Sequence, residues 1–350
     1  MHWADLNPVI GSEQGGLRPM LILSRKSNAN GAKVFQKKIQ FFYAEEDRMN
    51  LKHFFWVIFL AICSFQLAFA TTPIQLLEKG EALATQGKHT EAIKIFERML
   101  ESEIKDNYQM ARVHYGMGLS YSKLGDRVKS IENYSTSINY YPKEPLTYLN
   151  RGNDFYLEDK YLKAVDDFNK AIDLDDKLFL AYNSRGIAYL KLKEFDRALS
   201  DLNSAIQLNP KYVKPYKNRA KVYFETKKFD LALSDIEIAI EMGTKEAWPY
   251  NMAAWIYAAS PDPSLRNGER AVKYAEQAVL LQKDSQSLDT LAAAYAEVGK
   301  FDLAVLNQEM AIRAISRPDD QSTLLRYKER LESYKQKIPW RDEALLGDTN

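Results

Sequence analysis

Tyr148-Leu-Asn-Arg-Gly152, Tyr182-Asn-Ser-Arg-Gly186 and Tyr216-Lys-Asn-Arg-Ala220 are one phrase written three times at an interval of 34 residues. Each copy is followed at a fixed distance by an aromatic residue and an alanine: Tyr161 and Ala164, Phe195 and Ala198, Phe229 and Ala232. A fixed period of this size marks units that stack on their neighbours rather than share one core. Thirty-four residues hold two short helices and their turns.

Small residues locate the two helices. Gly152, Gly186 and Ala220 lie four residues after an aromatic and three before another (Phe155, Tyr189, Tyr223), the spacing of one helical face. Twelve residues further on, Ala164, Ala198 and Ala232 begin a second face, continued seven later by Ala171, Ala205 and Ala239. Glycine inside a helix costs about 1 kcal/mol relative to alanine. Its return on schedule therefore predicts that two helix backbones approach closely there, with aromatics filling the space around the contact.

These units resemble tetratricopeptide repeats. The small-residue column extends outward as Gly80, Gly118, Gly152, Gly186, Ala220, Ala254 and Ala292, which gives seven units near residues 73–106, 111–144, 145–178, 179–212, 213–246, 247–284 and 285–317. The resemblance implies an all-α, right-handed superhelical solenoid of helix-turn-helix repeats over residues 71–317. A charged helix over 318–337 is expected to cap it, with Leu324, Leu325, Leu331 and Tyr334 on its packed side, and a flexible tail to follow over 338–350.

The remaining sequence concerns location. Residues 1–48 have no periodicity and read as an upstream extension of the reading frame. Residues 49–70 carry Lys52, an apolar run from Phe54 to Leu67 and a small-x-small ending at Ala68 and Ala70. These are the parts of a secretory signal peptide, with a signal anchor as the alternative. Either way Arg48 and Lys52 precede the apolar run, so the repeats are expected beyond the membrane, periplasmic or secreted. The one cysteine, Cys63, lies inside this segment; its neighbour Ile62 is a poor match to a lipoprotein signal. Thiol and disulfide chemistry are thus not expected of the repeats. The formal net charge of +1 gives no electrostatic footprint for nucleic acid.

Nothing in the sequence points to an enzyme. The segment after residue 70 has two histidines, His89 and His114, in different units, and no metal, phosphate-loop, hydrolase or dinucleotide motif. No cofactor or metal is expected. Recurring Arg151, Arg185 and Arg219, each sixteen residues before Asp167, Asp201 and Asp235, predict a structural ladder of ion pairs between the two helices of a unit. The second unit has Arg127 and Ser130 where later units have an aromatic and alanine, and so predicts looser packing. The sixth unit carries a turn five residues longer than the others, with Pro261 and Pro263, and Asn267 as the N-cap of its second helix.

The resemblance further implies a concave groove, lined by the first helices, that binds a protein or peptide partner. Its columns carry over to Leu149, Asn150, Asn153, Tyr156, Asn183, Ile187, Lys214, Lys217, Asn218, Lys221, Phe224, Trp248, Asn251 and Trp255. Lys214, Lys217 and Lys221 share a helical face and are expected to offer a basic stripe to an acidic segment. The asparagines could both donate to and accept from a bound main chain. The alternative function, a cytosolic cochaperone-like adaptor, is weakened by Leu149 and Ser184, which stand where a two-carboxylate clamp wants Lys and Asn. The expected function is a non-catalytic, exported interaction scaffold.

Overall fold

The computed structural model describes residues 72–101, 106–315 and 321–345. The expected extension at 1–48, the segment 49–70 with Ala68 and Ala70, and residues 346–350 lie outside the described residues. Within them the chain is helical: α1 (Pro73–Thr85), α2 (His89–Leu100), α3 (Asn107–Leu124), α4 (Arg127–Tyr140), α5 (Pro145–Leu157), α6 (Tyr161–Leu174), α7 (Phe179–Lys191), α8 (Phe195–Leu208), α9 (Val213–Glu225), α10 (Phe229–Glu241), α11 (Ala247–Ala259), α12 (Gly268–Leu281), α13 (Ser285–Glu297), α14 (Phe301–Arg313) and α15 (Gln321–Lys335). The first fourteen pair into seven units, and α15 packs on α14 to close the stack. Among the described residues no helix is long and apolar enough to cross a membrane.

Successive first helices lie side by side, whereas each second helix meets its own partner and the first helix of the next unit. The stack therefore curves with the odd-numbered helices α1 to α13 on its inner side. Local sequence starts the helices at fixed points. Thr72 and Gln75 form a capping box around Pro73, and Asp284 forms another with Ser287. Asn267 accepts from the Arg270 N–H at 3.0 Å and caps α12.

The small-residue column is where the helices of a pair touch. A Cβ built on Gly80 would lie 2.5 Å from Phe96, on Gly118 2.7 Å from Tyr134, and on Gly152 2.7 Å from Phe168. On Gly186 it would lie 2.9 Å from Leu202. Where alanine replaces glycine, at Ala220 and Ala254, the position opposite holds Ile236 and Ala275, neither of them an aromatic ring as in the first three units. The sizes are complementary across the contact, as close packing requires. Positive φ recurs at the turn inside the pairs, at Gly87, Gly125 and Gly299 but also at Asp159 (56°), Lys193 (60°) and Lys227 (57°).

The second unit is not loosely packed. Ser130 lies within 2.8 Å of the Gly118 carbonyl and 2.5 Å of Asp154, and Ser122 donates to the other Asp154 oxygen at 2.8 Å. A polar node takes the place of the aromatic and alanine of later units, so the expected looseness is corrected. The fully buried apolar residues fall in separate clusters on either side of this seam, Leu77, Phe96, Met99 and Val113 in one and Leu149, Phe168 and Leu202 in the next, with Ile138 of α4 packed against the second.

Burial raises the Asp154 pKa above the ordinary carboxylate value, because few favourable charges reach it. A protonated Asp154 can donate to Ser130, freeing the one hydroxyl hydrogen of Ser130 for the Gly118 carbonyl. The folded state thus holds this proton to higher pH than the unfolded chain does. The node's contribution is complete below the unfolded value of about 4 and is lost as pH rises through the raised folded value. Asp154→Asn is expected to gain stability relative to the parent between pH 4 and 7, measured as the difference in urea midpoint across that window. A difference that stays constant with pH would remove Asp154 as its source.

The C-terminus departs from expectation. The buried side of α15 is Tyr327, Arg330 and Tyr334, while Leu325 is exposed. Residues 338–345 are not a loose tail: they turn back from α15 and end in a 3-10 turn, Glu343–Leu345, with Leu345 buried.

Candidate functional site

The inner face is built from the residues of α3 to α13 that follow the small-residue column at fixed offsets. Leu149, Asn150, Asn153, Tyr156, Asn183, Ile187, Lys217 and Asn251 are buried in it, and Lys214, Asn218, Lys221, Phe224, Trp248 and Trp255 are half-buried. The structure thus places the fourteen sequence-derived groove residues on adjoining helices, but it divides them by what they already touch.

Three of the asparagines are engaged with neighbouring helices. Asn150 on α5 donates to the Tyr115 hydroxyl of α3 at 3.0 Å, and Asn218 on α9 donates to Asn183 on α7 at 2.9 Å. They tie first helix to first helix across the unit boundary. The other two have spare capacity: neither amide atom of Asn153 has a hydrogen-bond partner, nor does the Asn251 carbonyl oxygen. A buried polar atom without a partner costs about 1–3 kcal/mol.

The basic stripe is corrected. Lys217 is buried and ion-paired with Glu246, which holds that carboxyl below its ordinary value against the opposing effect of burial. The Trp248 indole donates to the same Glu246 at 2.8 Å, and the Lys221 ammonium lies 4.6 Å from the centre of the Trp248 ring. An aromatic side chain flanked by cations and one carboxylate replaces a row of free charges. Spacing alone could not show this, because Glu246 lies 29 residues further on, just before α11.

Trp255 is covered. Its indole donates to Asp342 at 3.0 Å, and Arg330 of α15 lies over its ring at 4.5 Å. Arg330 also pairs with the buried Asp289 of α13. Neither Arg330 nor Asp289 was singled out from the sequence, since the partners are 41 residues apart and repeat nowhere.

The arginine column lies between the helices of each pair. Arg151 bonds both Asp167 oxygens at 2.8 and 2.7 Å, Arg185 bonds Asp201 at 2.7 and 2.7 Å, and Arg219 bonds Asp235 at 2.7 and 2.6 Å. Each guanidinium sends a further N–H back to the preceding unit, to Ser135, Asn169 and Asn203. Aromatic residues flank each guanidinium three before and four after it, as Tyr182 and Tyr189 do around Arg185. The geometry is that of a structural clamp between helices and between units. Among the described residues no group of three or more histidine, cysteine or acidic side chains could hold a metal ion.

Fold and repeat together define a helix-pair solenoid. Residues 179–212 match the tetratricopeptide repeat family model, and the helix-pair solenoid is the fold such repeats form. Among solved structures, PilF of Pseudomonas aeruginosa is similar at a TM-score of 0.54 and 14% identity, over 61% of this chain and 94% of that one. MamA of Desulfovibrio magneticus RS-1 is similar at 0.45 and 15%, over 49% of this chain and 97% of that one. The first repeat domain of Spaghetti (RPAP3), bound to an HSP90 peptide, is similar at 0.33 and 26%, over 33% of this chain and 91% of that one. No curated protein matches the chain.

Proposed function

We propose that this protein is an exported, non-catalytic scaffold that holds an extended segment of a partner protein along the inner face of α5 to α11. The observation that carries the reading is the pair Trp248 and Phe224, half-buried on the inner face with the polar Lys214, Asn218 and Lys221 half-buried beside them. An amide both donates and accepts, which suits a peptide main chain, and a half-buried indole is the residue type that most often anchors an interface. Export is supported by the layout of residues 49–70, which end two residues before the capping box of α1.

Peptides selected from a random library on the intact chain are expected to bind Trp248→Ala about tenfold more weakly, a loss of about 1.4 kcal/mol. Asn153→Ala should unfold at an equal or higher urea concentration, because it deletes a buried amide without a partner. Unchanged affinity for Trp248→Ala would overturn the groove as the site. Export is tested by fusing residues 49–70 to a reporter and by reading the N-terminal sequence of the protein from its own host; a cytosolic reporter would favour the adaptor reading.

A further inference from the structure

Residues 338–345 sit against units six and seven, and their contacts are those of a bound peptide. After α15, Lys337 adopts a left-handed φ of 59° and the Ile338 N–H returns to the Ser333 carbonyl at 2.9 Å, so the chain reverses. The Asp342 N–H then donates to the Ala259 carbonyl at 2.8 Å, and Arg341 donates to the Ala258 carbonyl at 3.1 Å. These are end carbonyls of α11, which have no partner within their own helix. Arg341 also pairs with Glu297 of α13 at 2.6 Å, Asp342 accepts from Trp255, and Trp340 lies beside the Arg330 guanidinium, which Trp255 stacks on as well. Leu345 fills the end of the apolar cluster.

The enlarged turn of unit six makes the room. In the other units a tight turn closes over the end of the first helix. Here the 3-10 turn Pro263–Leu265 carries the chain away, and Arg266 draws it toward Glu297, at 3.4 Å, on the opposite side from Arg341. The turn, Glu297 and the end of α11 thus form one receptor surface. The returning segment is fastened mainly by polar contacts of half-exposed side chains, with one buried leucine.

We propose that this surface is an exchangeable peptide site, selective for an extended segment with Trp-Arg-Asp followed three residues on by Leu, and that residues 340–345 occupy it as a tethered ligand. The tether closes the inner face at its C-terminal end, while the face from α5 to α9 stays open. The inference does not rest on the groove function proposed above, although α11 contributes to both surfaces, because its ligand is already seated.

The test uses the intact chain and a fluorescent peptide spanning residues 337–350. The parent, with its site filled, is expected to bind the peptide at least about tenfold more weakly than the Arg341→Glu, Asp342→Lys variant, whose own tail is released. Adding Glu297→Arg should abolish binding of the native peptide and restore binding of one carrying Arg341→Glu. A released variant that binds the peptide no better than the parent overturns the proposal. Hydrogen exchange on the unaltered chain decides the matter even if that variant unfolds. The Asp342 and Leu345 amides should exchange at least about a hundredfold faster than those of α13, through local opening. Exchange as slow as that of α13 would make the segment fixed core and likewise overturn the proposal.

Discussion

Asp201→Ala is expected to lower unfolding free energy by about 3–5 kcal/mol, the cost of leaving one partner of a buried ion pair alone. The carboxylate is 7% exposed and the Arg185 guanidinium 18% exposed, so water screens little of the loss. Removing the carboxylate takes away two charge-assisted hydrogen bonds at once and strands a cation between Tyr182 and Tyr189. Replacing both partners, as Arg185→Met with Asp201→Leu, should recover most of the loss, because desolvation of the pair offsets most of its attraction. Urea unfolding followed by far-ultraviolet circular dichroism reads both effects. A loss below about 1 kcal/mol for Asp201→Ala would place the pair among weak surface bridges and dismiss the clamp.

Phe168→Ala should cost a similar amount, about 3–5 kcal/mol, since Phe168 is fully buried and its ring lies against Gly152. The more searching experiment concerns sign. In the parent, Gly152→Ala would set a methyl 2.7 Å from the ring and 3.2 Å from the Ala164 carbonyl, and overpacking of that kind costs about 1–3 kcal/mol. With Phe168→Ile in place, the site becomes the one that Ala220 and Ile236 already occupy two units on. There the same methyl should stabilise, by up to about 1 kcal/mol of helix propensity. A Gly152→Ala effect of one sign in both backgrounds would refute the size complementarity.

That complementarity explains why so much of the fold could be read from the chain. Gly152 and Phe168 are sixteen residues apart in every central unit, so a contact made through space is also a fixed interval in sequence. The arginine and aspartate columns were legible for the same reason. Features that occur once were not. Lys217 reads as surface charge until Glu246, 29 residues on, is seen beside it. The sandwich of Arg330 between Trp255 and Trp340 joins residues with no common interval. The left-handed turns at Lys193 and Lys227 were hidden because lysine stands where glycine would have announced them. For the groove, the column offsets chose the helices and the face, but which side chains keep free bonding capacity depends on partners one unit away.

The polar seam between the second and third units has a mechanical consequence. Apolar contacts resist separation over a whole surface, whereas Ser122, Ser130 and Asp154 resist it through a few directional bonds that lengthen or fail together. The joint would thus give way abruptly under load, where an apolar interface yields gradually.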